Sequence, residues 1–466
     1  MSKADILIAV NTVWVVVAAV LVMFMQAGFA FLEAGLTRMK NAAHIAGKNV
    51  LIFSVCSLVY WAVGFGIAFG KGNAILGFHG FFPSVHSLLA VGKAPFEFFT
   101  SIPGAAAYLF EVVFAGVSLA IVWGAMAERA KLWVYFAFGV AFTVIYSITS
   151  HWIWGGGWLF GLGMQDFAGS TVVHYQGALA ALAGAIILGP RIGKFAGGKG
   201  NPIPGHNIPY AVLGTIILWF GWFGFNPGST LGVITGHHLG FFGYVALTTN
   251  LAAAAGACSG ALTARIVLKK ADISMMLNGV LAALVAVTAA SGFVAPWAAV
   301  VIGAVSGVIA VTGVLFVERI GIDDPIGAVA VHGMSGVWGT LATGLFAVPA
   351  LAATLKTGGG GLVYTGSFHQ VWIQLAGLGA VGVFTFSASF GCLWVMNKLW
   401  GIRVEAHVET SGLDVSEHGM WGYPEFYIPV PGGYGTESHG HLLAHRHELP
   451  RPAEPEPEPV ADAEAA

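Results

Sequence analysis

Two histidines sit alone in long apolar stretches of this 466-residue chain. His174 falls in the run 172–188 and carries that run's only titratable ring nitrogens; His332 falls in the run 326–347. Each is preceded by a valine, Val173 or Val331, and each run goes on in small residues. A neutral imidazole offers one N–H donor and one bare nitrogen acceptor, which suits it to hold a small base or hand on a proton. An ionisable side chain in hydrocarbon is costly and by default marks a functional site. Two in matching settings point to a pair that meets inside the molecule. Two separate core histidines, each bonded to a backbone carbonyl, fit the same spacing.

Other residues with chemistry lie at the edges of apolar runs. The loop His151-Trp152-Ile153-Trp154-Gly155-Gly156-Gly157-Trp158 is rich in indole. An indole face attracts a cation, by up to about 2 kcal/mol when partly desolvated, and tryptophans also collect at membrane interfaces. Both readings stand for Trp154. The sixth apolar segment ends Trp222-Phe223-Gly224-Phe225-Asn226-Pro227-Gly228-Ser229, where Ser229 offers a neutral hydroxyl beside Phe225. Phe110 and Phe114 are one helical turn apart and share a face; such a stripe serves a core as readily as a gate. Four acids, Glu33, Glu111, Glu128 and Asp166, lie in or near apolar surroundings. Asp166 directly precedes the fifth segment, so a cap on its first-turn N–H groups is favoured over a cation site. Asp324, in Asp323-Asp324-Pro325, stands in the same relation to the tenth. Glu128 and Arg129 read as a neighbouring ion pair. No catalytic triad, phosphate loop or metal-ligand spacing occurs, so neither an enzyme nor a cofactor is expected.

The elements that must position these groups follow from composition. Hydrophobic residues make up 57% and charged residues 9%, with a mean hydropathy of +0.79. Soluble domains carry roughly 25% charge, so the chain is an integral membrane protein. Its 66 glycines suit close helix–helix packing. A spanning helix needs roughly 20 apolar residues. About eleven such segments are centred on 7–32, 46–70, 100–126, 132–150, 171–189, 208–226, 239–266, 273–291, 295–317, 326–347 and 370–399. The first is too long for a signal-peptide core and is expected to be retained. The loop 71–99 leaves room for a short surface helix. Cys56, Cys258 and Cys392 read as buried thiols without disulfides. Lys and Arg concentrate on one set of alternate loops, from Arg38 and Lys40 to Lys398 and Arg403, which puts the N terminus outside and the C terminus in the cytoplasm. Two halves of five helices would then be inverted repeats with a site where they meet, followed by a long eleventh helix. The expected fold is an all-α polytopic membrane protein: a transmembrane domain over 1–403, a cytoplasmic docking tail over 404–430, and a disordered His-, Pro- and Glu-rich tail over 431–466. The His439, His441, His445 and His447 cluster reads as solvated tail rather than a metal site.

Several stretches together resemble the Amt/Mep/Rh ammonium transporters, on the Amt side, over most of residues 5–425. They are Asp166 to His174, Phe225 to Ser229, Asp323-Asp324-Pro325 with His332-Gly333, Ala127-Glu128-Arg129, and Gly412 to Gly419. The resemblance implies an outer ammonium site at Trp154 and Ser229, supported by Asp166, with Phe114 and Phe225 stacked as a gate beneath it. It implies that Trp222 lines the pore and that His174 and His332 are twin pore histidines. It also implies a homotrimer in the cell membrane, with one pore per subunit in contact with lipid. A PII-type signalling protein blocks the cytoplasmic mouth in some members, and Ser416 stands where a phosphorylatable hydroxyl occurs. No nucleic acid is implied. Departures are Ser170 where a second glycine is frequent, Glu111 in place of a frequent glutamine, and Glu33 at a variable position.

The expected mechanism follows. Ammonium, or methylammonium as its analogue, is drawn to the vestibule and loses a proton near the gate. Neutral ammonia then crosses between the imidazoles, and potassium, which has no neutral form, is rejected. Whether charge moves with it is not fixed by the sequence. The rival expectations are a sensor that signals through its tail and a Rh-like neutral gas channel.

Overall fold

The computed structural model describes residues 2–427. The tail expected over 431–466, its histidine cluster and the last three residues of the docking segment lie outside them. The described chain is almost wholly helical, apart from a hairpin of Ile234–Thr235 with His238–Leu239. Its long helices are α1 (Lys3–Leu36), α2 (Met39–Phe69), α3 (Gly104–Gly124), α4 (Leu132–Ile153), α5 (Ser170–Leu188), α6 (Ile208–Gly228), α7 (Phe241–Val267), α8 (Ile273–Ala290) and α9 (Pro296–Arg319). Then come α10, wound as a π-helix over Val329–Met334 and running into Ser335–Phe346, and α11 (His369–Trp400). All but α10 are long and apolar enough to cross a membrane. Gly333, Ser335, Gly336, Thr340 and Thr343 dilute α10. The loop after α2 carries one short helix, Val85–Leu89.

Burial falls in a symmetric pattern. In their most apolar windows α3 is 83% and α8 78% buried, whereas α1 and α11 are 28% buried. The central helices are therefore the third of each group of five. The outer faces stay apolar, with Val13, Val50 and Val383 among the most exposed side chains, as a hydrocarbon environment requires. Cys258 lies on such a face of α7 and is exposed, unlike the expectation; Cys56 is buried and Cys392 half-buried, and all three are free. α1 packs on α6 through glycine. A Cβ on Gly28 would come within 2.8 Å of Leu218, and one on Gly214 within 2.8 Å of the Leu32 Cα. Small residues permit this approach where no hydrophobic force drives helices together.

α5 and α10 run in opposite directions. The segment after α5 carries Arg191, which binds Asp323 just before α10 (2.9 Å). At the other end, Thr171 at the start of α5 bonds Thr340 late in α10 (2.6 Å).

Past Arg403 the chain folds back on the loops at the Arg191 end. Short helices Ala406–Ser411 and Leu413–His418 bring carboxylates onto helix starts. Asp414 accepts from the N–H groups of Ala43 (3.0 Å) and His44 (2.8 Å), and Glu417 from that of Leu132 (3.1 Å). α2 therefore begins earlier than its apolar run suggests, because its cap arrives from a distant part of the chain. Lys40 donates to the carbonyls of Glu409 (2.7 Å) and Thr410 (2.5 Å).

Candidate functional site

Each histidine is set by a capped helix start of the same design. The Asp166 carboxylate accepts from the backbone N–H groups of Gly169 (3.0 Å), Thr171 (3.0 Å) and Val172 (2.9 Å). The Asp324 carboxylate accepts from Gly327 (3.1 Å) and Val329 (2.7 Å). Both glycines hold positive φ, 114° and 82°, a conformation that favours glycine. Both starts then wind as π-helical turns, Ser170–Tyr175 and Val329–Met334, which often occur at functional sites. The sequence thus contains one pattern twice, Asp-x-x-Gly-x-x-x-x-His, as Asp166 to His174 and Asp324 to His332. It was legible, but the expectation rested on the valine before each histidine and the small residues after it. Burial pushes the Asp166 carboxyl up to about 6 although the N–H donors pull it down; burial also raises Asp324.

Because the two starts lie at opposite ends, their histidines meet near the middle. His174 Nδ1 and His332 Nδ1 are 3.2 Å apart, and the rings lie 5.3 Å apart at 19°. Neither is appreciably exposed. One ring must donate and the other accept, and His174 Nε2 keeps no hydrogen-bond partner among the described residues. Trp222 stacks on His174 at 5.4 Å and is held by its indole N–H, which donates to Thr288 Oγ1 (2.9 Å).

Aromatic rings continue the line away from the histidines. Phe225 lies 5.5 Å from His174, Phe114 lies 4.1 Å from Phe225, and Trp154 meets Phe114 edge-on at 6.1 Å. Phe110 packs on Phe114 at 4.6 Å. Above them opens a cavity of about 180 Å3 lined by Trp154, Ser229, Asp166, Glu111, Phe110 and Phe114 among others. The Trp154 indole donates to the Asp166 carbonyl (2.7 Å), and Ser229 donates to the Phe225 carbonyl (2.9 Å), which leaves its oxygen free to accept. The structure therefore brings all the expected site residues into one file, except Asp324, which caps from the far end. A small molecule that can both donate and accept finds partners at the imidazoles. Between the cavity and the imidazoles a bare metal ion meets the aromatic rings of Phe114 and Phe225. Among the described residues no group of three or more His, Cys, Asp and Glu side chains is placed to hold a metal ion.

The far end is locked by charge, and here one expectation fails. Glu128 does not pair with Arg129. It binds Arg38 (2.6 Å) and Arg191 (3.2 Å), while Arg129 donates to the carbonyls of Gly189 (3.2 Å), Ala127 (3.0 Å) and Asp323 (2.9 Å). Glu128 holds φ +72°, so the chain reverses there and its side chain points away from its neighbour's. Asp323 does not cap α10 with Asp324 but accepts from Arg191 at its backbone N–H, Nε and Nη2 (2.8 to 2.9 Å). Burial alone would raise both acids, but Arg191 holds Asp323 below the ordinary carboxylate range, and Arg191 with Arg38 does so for Glu128. The sequence reading also missed a fully buried ion pair, Lys48 with Glu33; no local spacing signals it.

Comparison with known proteins agrees with this architecture. A sequence model described as Ammonium Transporter Family matches residues 13–423. Ammonium transporter Amt2 of Archaeoglobus fulgidus is 43% identical over 433 residues, covering 90% of this chain and 89% of its own length. The ammonium transporter of Bacillus subtilis is 35% identical, covering 89% and 98%. Among solved structures, one titled Sensor Amt Protein is 38% identical with a TM-score of 0.80, covering 89% of this chain and 99% of that one. Mep2 of Candida albicans is 32% identical with a TM-score of 0.80, covering 92% and 94%.

Proposed function

The chain belongs to the ammonium transporter family, and from that premise we propose that it admits ammonium at Trp154 and Ser229 and passes ammonia between His174 and His332. It is a multi-pass protein of the cell membrane and not an enzyme. In the proposed cycle the cation rests against the Trp154 face and the Ser229 oxygen and loses a proton at the Phe114–Phe225 gate. Neutral ammonia moves past Trp222 to the imidazoles. The dry passage decides the form that crosses, since carrying an ion through costs several kcal/mol. All eleven helices cross the membrane, N terminus outside, and three copies assemble with a pore in each. The cytoplasmic mouth, bordered by Lys40 and the docked tail, is where a PII-type protein would bind.

The observation that carries this reading is the buried Nδ1–Nδ1 contact of 3.2 Å at the end of the aromatic file. The double variant His174→Ala/His332→Ala is expected to abolish selective uptake of methylammonium in proteoliposomes; unchanged uptake and selectivity against potassium would end it. A second reading, an ammonium sensor, is favoured by the tail docked on the loops and by the structural neighbour titled a sensor. Uptake in a yeast strain lacking its own transporters separates the two.

A further inference from the structure

Deprotonation needs a base, and the vestibule cavity contains one whose acceptor capacity is free. Two titratable side chains line it, Asp166 and Glu111. The Asp166 carboxylate is occupied by three backbone N–H groups that hold the start of α5. Were Asp166 the acceptor, each turnover would disturb the helix that carries His174. Glu111 makes no such bond. It sits on α3 between Phe110 and Phe114, almost wholly buried, and no lysine or arginine lines the cavity with it.

A second feature lies within electrostatic reach of Glu111. The hydroxyl of Tyr60 on α2 is fully buried and has no hydrogen-bond partner among the described residues, and that of Tyr146 on α4 is fully buried with only the Ser150 side chain beside it. Their rings are 6.5 Å apart, and both are within electrostatic reach of the Glu111 carboxylate. The other titratable groups close by are Cys56, one turn from Tyr60 on α2, Tyr108 on α3, whose ring lies 6.1 Å from that of Tyr60, and Asp166 on the Tyr146 side. Buried hydroxyls are seldom left bare, and ordered water is the usual partner. Glu111 thus lines a cavity open to the cation and stands within electrostatic reach of a buried polar corner that calls for water.

We propose that Glu111 takes the proton that ammonium loses, and that water held by Tyr60 and Tyr146 solvates its carboxylate. This rests on the transport reading above. In the step, one N–H bond of ammonium breaks and its electron pair stays on nitrogen, giving ammonia. The proton forms an O–H bond on the Glu111 carboxylate, and water later carries it off and resets the base. Phe114 and Phe225 then pass an uncharged molecule, and the histidines need not accept the proton.

The test compares wild type, Glu111→Gln and Tyr60→Phe/Tyr146→Phe in proteoliposomes, by methylammonium uptake and solid-supported-membrane currents across acid to alkaline pH. Glu111→Gln keeps the shape and removes the base. It is expected to lower the maximal rate about a hundredfold, the usual scale of general base assistance, and to flatten the rise of rate with pH. Tyr60→Phe/Tyr146→Phe keeps the base and strips its hydration, so the same rise should move to higher pH. If Glu111→Gln raises apparent KM alone, with maximal rate and pH profile kept, Glu111 only attracts the cation and the proposal is overturned. If Glu111→Gln does not fold, an unmoved profile in the tyrosine variant overturns it instead. A wild type without uptake would sink the transport reading itself, which keeps the two failures apart.

Discussion

Trp154 holds two positions at once: its face closes the vestibule and its N–H fixes the Asp166 carbonyl. Cation–π attraction of up to about 2 kcal/mol corresponds to roughly a ten- to thirtyfold change in apparent affinity. Trp154→Leu is therefore expected to raise the apparent KM for methylammonium by that order, with a smaller fall in maximal flux. An unaltered concentration dependence would remove Trp154 from the recruitment site. Sequence alone left Trp154 balanced between recruitment and an interface belt, since an indole at a helix end serves either. The cavity it shares with Ser229 supports the proposed recruitment role, and Ser229 is 75 positions later by its number.

At the scale of elements, the apolar segments were readable because a membrane demands long uninterrupted runs. Their ends were less so. α2 starts where residue 414 caps it, and Glu128 chooses Arg191 and Arg38, 63 and 90 positions away, over its neighbour. Contacts at such separations leave no local pattern. The clamp of Arg191 on Asp323 ties the segment after α5 to the start of α10. Asp323→Asn leaves a buried guanidinium underpaired and is expected to cost about 3 kcal/mol, read as a lower Tm of the detergent-solubilised protein. The pH dependence has a definite sign. Asp323 and Glu128 titrate below their ordinary values of 3.8 and 4.5. Their stabilisation is complete above those values and is lost as pH falls through the lowered ones. Wild type should therefore lose Tm on acidification below that range, and Asp323→Asn should lose less over the same interval.

Across the whole molecule, the tail is built into the bundle rather than appended to it, because its carboxylates complete α2 and α4. Asp414→Ala should free both N–H groups of the α2 start at a cost of about 1 to 2 kcal/mol. Hydrogen exchange over 413–418 and 42–46 should then quicken together; exchange confined to one of the two would show that they are not coupled. The repeated capped start has a consequence of its own. Turned end over end, the centre of the proposed passage presents nearly the same face: an aspartate, a left-handed glycine, a loosened turn, an imidazole. Those four features do not tell inward from outward; the Trp222 and Phe225 rings stacked on His174 do. Any rectification the transporter exhibits has to originate in those rings or at its unlike ends, one lined with aromatic rings and Glu111, the other braced by arginine.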